Sequence, residues 1–104
     1  MSTDEVFAIE VAEGIIRVSG DLDAHTAPRL DDVVRDLIDA GVERIVVDMA
    51  DVEFVDSSGL RSLIRARADG ADGREVVVQD PSAATLRLLD VTGMTEHFTV
   101  TSST

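Results

Sequence analysis

The sequence predicts an α/β fold built on a mixed, mostly parallel sheet, and three observations lead to it. Short apolar runs of strand length alternate with segments whose apolar residues recur at helical spacing. Glycines close two of the helical segments, at Ala40-Gly41 and at Gly93, where a left-handed residue commonly ends a helix. Two short strands near the N-terminus flank Glu13-Gly14 and read as a hairpin. Strand–helix–strand alternation implies right-handed crossovers between parallel strands. The N-terminal hairpin makes the sheet mixed.

Element by element, Val6 to Val11 is the first strand and Ile15 to Val18 the second. Ser19 to His25 reads as a polar loop. Thr26 is placed to cap a helix whose first turn holds Pro28, where a missing N–H costs nothing. Leu30, Val33, Val34, Leu37 and Ile38 form its apolar stripe. Ile45 to Met49 is nearly continuous in apolar character, the pattern of a strand covered on both faces. Asp51 to Ser58 reads as a loop, and a second helix follows with Leu60, Leu63, Ile64 and Ala68 on its periodic face. Asp69 to Gly73 is a turn cluster. Glu75 to Gln79 is a further buried strand. Asp80 is expected to cap a third helix with Pro81 in its first position. Leu86, Leu88, Leu89 and Val91 supply that helix's contacts. His97 to Val100 reads as a short last strand, with His97 packed near the end of the fold, and the final residues 102–104 as frayed.

The 104 residues suit a single domain spanning 1–104 with a small core. A hydrophobic content of 44% argues against disorder. The formal net charge of −12 argues against direct nucleic-acid binding and against an anionic membrane, since both would repel the chain. An acidic surface suits a basic protein partner, because opposite charge speeds and selects the encounter. There is no cysteine, hence no disulfide or thiolate metal site. No apolar run approaches the roughly 20 residues of a membrane span, and residues 1–5 carry no apolar signal core. These features lead to the expectation of a cytoplasmic protein.

The chemistry concentrates in Phe54-Val55-Asp56-Ser57-Ser58-Gly59-Leu60. It joins an apolar strand to a helix, so two hydroxyls and a carboxylate sit at a helix start. Backbone N–H groups there lack intrahelical partners and carry partial positive charge, which suits a bound or covalent phosphate. Ser57 is best placed to cap the helix. Asp56 either caps it or orients Ser58.

Asp56-Ser57-Ser58-Gly59-Leu60, with Gly20-Asp21-Leu22-Asp23 upstream, resembles the bacterial anti-anti-sigma factors of the STAS domain family. The resemblance runs from about Val6 to Val100. It implies a single-domain STAS-like fold with an N-terminal hairpin and packed helices. It also implies a regulator rather than an enzyme. Unphosphorylated, such a protein binds an anti-sigma factor that is also a serine kinase, and so releases a sigma factor. Phosphorylation of the second serine of the pair, here Ser58, switches it off, and a phosphatase resets it. ATP and magnesium belong to the partner, so the chain itself needs no cofactor. The family's shared strand edge serves as the partner surface, which here brings in Asp21, Asp23, His25, Asp56, Ser57, Gly59 and Arg61. Arg61 departs from the common family form, which has glycine after Gly-Leu. Three residues beyond Ser58, it is placed to meet a phosphate there.

Other readings of these residues remain open. Loop aspartates such as Asp21 and Asp23 often only shape turns. A STAS module serving as a scaffold or signalling unit outside sigma control fits the same motif. A small serine hydrolase needs a base and oxyanion donors around Ser58, and the sequence has no Gly-x-Ser-x-Gly elbow and no lysine for a Ser-Lys pair. His25 and His97 are too few and too far apart for a zinc signature.

Overall fold

A computed structural model describes residues 7–69 and 75–102. The chain runs β1 (Phe7–Ala12), β2 (Ile15–Leu22), α1 (Ala27–Asp39), β3 (Arg44–Val55), α2 (Ser57–Asp69), β4 (Glu75–Gln79), α3 (Ala83–Thr92), a 3-10 turn (Thr95–His97) and β5 (Thr99–Thr101). The five strands form one sheet in sequence order. β1 and β2 are antiparallel, and every later neighbour is parallel. The expected mixed, mostly parallel sheet is thus the observed one.

The hairpin forms because its turn residues accept left-handed backbone. Glu13 has φ 56° and Gly14 has φ 80°, the sign that a two-residue hairpin turn requires. That turn pairs Ala12 with Ile15 and fixes the register of both strands. Gly41 (φ 88°) and Gly93 (φ 72°) stand just beyond α1 and α3, as their sequence positions lead one to expect.

One face of the sheet carries the core. Ile16, Val18 and Leu22 of β2 and Ile45, Val47 and Met49 of β3 meet Val76 and Val78 of β4 there. Leu30 and Val34 of α1, Leu60 and Leu63 of α2, and Leu89 of α3 join the same cluster, so all three helices pack on that face. Residues Ile45 to Met49 of β3 are buried on both faces, as the apolar run leads one to expect. Val46 and Val77 are buried but lie outside the helix-facing cluster. They pair across the sheet with one another, and Val46 also pairs with Ile15. Central strand position, rather than a second helix layer, hides them.

Several boundaries also move. β2 does not stop at Val18: its pairing with β3 continues to Leu22, and Gly20 and Leu22 turn into the core. β3 likewise continues to Val55, with Val52 and Val55 buried, which removes most of the expected loop from Asp51. α3 starts at Ala83, not at Pro81. Ser82 is its cap, accepting the Thr85 N–H at 3.3 Å, while Asp80 adopts a left-handed φ of 50° before it. Thr26 holds the cap position of α1 but its hydroxyl caps nothing, being engaged by the preceding loop. Leu86 and Val91 of α3 are 45% and 76% exposed, and Ile64 of α2 is exposed as well. The last strand is Thr99–Thr101. His97 ends the 3-10 turn exposed to solvent, and Phe98 rather than His97 packs into the core. The strand start at Val6, the turn at 70–73 and the frayed 103–104 lie outside the described residues.

The α1 stripe is graded. Leu30 is 1% exposed, whereas Leu37 is only partly buried against the cluster. Leu30→Ala should cost about 2–5 kcal/mol of unfolding free energy, the range for a fully buried leucine. Leu37→Ala should cost less than about 2 kcal/mol, because less area leaves water there. Urea denaturation of both variants checks the order.

Candidate partner-binding edge

Leu22 and Val55, the last residues of β2 and β3, are paired across the parallel strands. The two functional stretches therefore emerge side by side at the carboxyl edge of the sheet, where open α/β sheets tend to place their sites. The Asp56 N–H donates to the Leu22 carbonyl at 3.2 Å and ties the two exits together.

Asp56 then turns the chain into α2. Its Oδ1 accepts the N–H of Ser58 at 2.8 Å and of Gly59 at 3.2 Å, and its carbonyl accepts the Leu60 N–H at 3.1 Å. These bonds satisfy donors that the helix start leaves free. Asp56 is the cap, and the expectation that Ser57 caps the helix is corrected. An ionised carboxylate is a strong acceptor for those amides, so it takes the position ahead of a neighbouring hydroxyl. Ser57 becomes the first helical residue and is exposed; Ser58, next along, is half-buried.

Gly59 is buried for want of space. A Cβ there would lie 2.8 Å from Leu22 Cγ, 2.8 Å from Val55 Cγ2 and 2.9 Å from the Leu22 carbonyl oxygen. The first turn of α2 thus sits directly on the ends of both strands, and only glycine permits the approach. Arg61 projects from the exposed side of the same helix. It follows Ser57 by four residues and Ser58 by three, and both spacings make neighbours on a helix surface.

The other exit is organised by Asp23. Its Oδ1 accepts the N–H of His25 at 3.0 Å and of Thr26 at 3.1 Å. The Thr26 hydroxyl donates to the Asp21 carbonyl at 2.7 Å and accepts the Asp23 N–H at 2.9 Å. Asp23 is thereby a turn-forming residue with one oxygen committed inward. Asp21 is half-buried at the end of β2, and the His25 side chain is exposed.

Sequence reasoning missed Phe54, which is 51% exposed, and its exposed neighbours Asp51 and Glu53. They are not loop residues but the irregular end of β3. The pairing with β2 shifts register twice, between Arg17 and Ser19 and between Gly20 and Asp21. Such bulges re-aim side chains at strand ends. The three-residue spacing of Val52 and Val55, in place of strict alternation, was the available signal.

Comparison with known proteins decides what this edge belongs to. A family model described as "Mlab, STAS domain" matches residues 6–101. The chain belongs to the STAS domain family. An anti-sigma F factor antagonist of Paenibacillus polymyxa is 36% identical over 86 residues, covering 77% of this chain and 70% of the relative. The crystal structure of an anti-sigma factor antagonist from Mycobacterium paratuberculosis has a TM-score of 0.79 at 27% identity, covering 91% of this chain and 83% of that one. The phosphorylated form of the Bacillus cell fate determinant SpoIIAA has a TM-score of 0.70 at 20% identity, covering 94% and 91%, and shares the fold. These relatives are named as antagonists of anti-sigma factors. Among the described residues no helix is long and apolar enough to cross a membrane.

The Asp23 turn generates a pH dependence. The Thr26 backbone N–H, assisted by that of His25 and by the Thr26 hydroxyl, holds the Asp23 carboxyl below its ordinary value of 3.8. A lowered folded-state pKa contributes stability that is present in full above that ordinary value. It is lost as pH falls below it, through the folded value. Asp23→Asn, which retains the acceptor oxygen but does not titrate, should therefore flatten the acid limb of melting temperature against pH. Thermal scans of both proteins between neutral and strongly acidic pH check this.

Proposed function

We propose that this chain is a cytoplasmic anti-anti-sigma factor that works by partner switching. In its unmodified form it binds an anti-sigma factor that carries serine kinase activity, and that binding frees a sigma factor for transcription. Phosphorylation at the start of α2 ends the interaction, and a phosphatase restores it. The names of the homologues support the anti-sigma partner. The observation that carries the switch is a serine pair in the first turn of a helix whose cap is supplied by another side chain, Asp56.

The physical consequence of modification at that place is asymmetric. A phosphate adds about −1.5 to −2 charge at neutral pH. The positive end of the helix accommodates it, so the fold loses little. A partner surface built to dock against the bare edge meets new charge and bulk. The same Asp56 that caps the helix also fixes the serine backbone for a kinase.

Two serines compete for the phosphate. Resemblance to the family led to Ser58, but Ser58 is half-buried and Ser57 is exposed. Ser57 is also released from the capping role expected of it. Ser57 is the more exposed residue, but Ser58 is the position that matches the family's modified serine and is itself only half-buried, so Ser58 stands as the proposed acceptor with Ser57 as its competitor.

The test uses the purified chain, its anti-sigma kinase and ATP, with fragment mass spectrometry to map the phosphate. Ser58→Ala should abolish modification and bind the partner constitutively, while Ser57→Ala should still be modified. Phosphate on Ser57 alone would overturn the assignment made from the family, and phosphate on neither would remove the switch. Arg61 is in reach of either position. Phosphorylation should raise the melting temperature more in the wild type than in Arg61→Ala, by no more than about 1 kcal/mol of stability, the value of an exposed ion pair. Equal shifts in both proteins would show that Arg61 does not meet the phosphate.

A further inference from the structure

Phe54 stands apart from the other aromatic residues of the chain. Of the three phenylalanines, Phe7 and Phe98 are buried at 3% and 7% exposure, while Phe54 is 51% exposed. Single exposed apolar side chains are ordinary on protein surfaces. What distinguishes this one is its setting. It pairs with Asp21 just past the second register shift between β2 and β3, and such a bulge re-aims the side chains beside it. Val55, one residue on, enters the core. Phe54 precedes Ser57 by three positions, at most about 10 Å of extended chain.

The ring is framed by negative charge. The segments 18–28 and 50–60 that build this edge contain Asp21, Asp23, Asp51, Glu53 and Asp56, with Arg17, Arg29 and Arg61 at their borders, so carboxylates outnumber cations there. Beside the bulge a recess of about 580 Å³ is lined by Phe7, Ser19, Gly20, Asp51, Val52 and Glu53. An exposed aromatic residue in a mainly acidic setting matches how interface centres are built, with an aromatic residue seated in an apolar pocket and a charged rim around it. A second copy of this chain is a poor occupant, because its own carboxylates would face these.

We infer that Phe54 is the aromatic anchor of the partner interface, and that the anti-sigma factor presents to it an apolar pocket rimmed by arginine or lysine. The inference rests on the function proposed above. It extends the contact surface from the first turn of α2 to the bulged end of β3. The ring supplies apolar burial. Asp51 and Glu53, next to it and exposed, guide the basic rim and set the orientation of docking.

Photo-crosslinking in the native host separates this inference from the function it rests on. A benzophenone side chain is installed in the full chain at Phe54 or, in a second strain, at Arg61. Capture of the same anti-sigma factor from both positions supports the inference. Capture from Arg61 alone sinks it and leaves the function standing. Capture of a protein that is not an anti-sigma factor, or of a second copy of this chain, from both positions overturns both. The purified captured factor then gives the magnitude. Phe54→Ala should keep the melting temperature and raise the Kd at least about thirtyfold, equivalent to about 2 kcal/mol for an interface anchor. Glu53→Arg, at an exposed position, should slow association and weaken its dependence on salt. Unchanged Kd in Phe54→Ala with unchanged association in Glu53→Arg rules the anchor out. Should Phe54→Ala melt early, the Glu53→Arg rates decide alone.

Discussion

The close approach of Gly59 to the ends of β2 and β3 is the constraint on which the rest of the edge depends. The Leu22 carbonyl lies under that glycine and also accepts the Asp56 N–H, so one backbone oxygen locates both the exit of β3 and the entry of α2. A side chain at position 59 would have to displace backbone, which does not yield as a flexible side chain does. The serine pair is therefore held at a fixed height above the sheet, between the turn made by Asp23 and the bulge that bears Phe54. A surface that is to be recognised in one chemical state and refused in another needs such definition. Loose serines would carry the same charge but present it in many places.

On the proposed function, the cap assignment explains how a switch can coexist with a small core. Because Asp56 satisfies the amides of Ser58 and Gly59, neither hydroxyl is needed to hold the helix start. Modification can then change the surface without unravelling α2. Charge on this edge is already negative before modification, with Asp51 and Glu53 exposed beside it. A phosphate therefore deepens an existing field rather than creating one. On the proposed function, discrimination would then come from close contact, through blocked docking, more than from a long-range reversal of sign.

Much of this was legible in the sequence because local chemistry and fold agree. Glu13-Gly14 between alternating segments gives the hairpin, Gly41 and Gly93 stop their helices, and the run from Ile45 to Met49 is the central strand. The motif at Asp56–Gly59 was visible as a strand-to-helix junction. What stayed hidden depends on tertiary partners. Gly20 and Asp21 look like loop residues and become strand because β3 lies alongside them. The bulges have no short signature, so Phe54 appeared to be part of a loop. Caps were misassigned wherever two oxygen-bearing side chains stood in competition, with Asp56 displacing Ser57 and Ser82 displacing Asp80. Leu86, Val91 and Ile64 fit a helical period but face away from a sheet that is covered by helices on one side.

Hydrogen exchange in Gly59→Ala tests the central constraint most directly. The amide of Asp56 reports the bond to the Leu22 carbonyl, and the amides of Val77 and Val78 report the core strand β4. If the first turn of α2 is seated by close approach, the substitution lifts it. Exchange at Asp56 and Ser58 should then quicken markedly while the β4 amides remain protected. Unchanged exchange at Asp56 and Ser58, in a protein as stable as the wild type, would contradict the account.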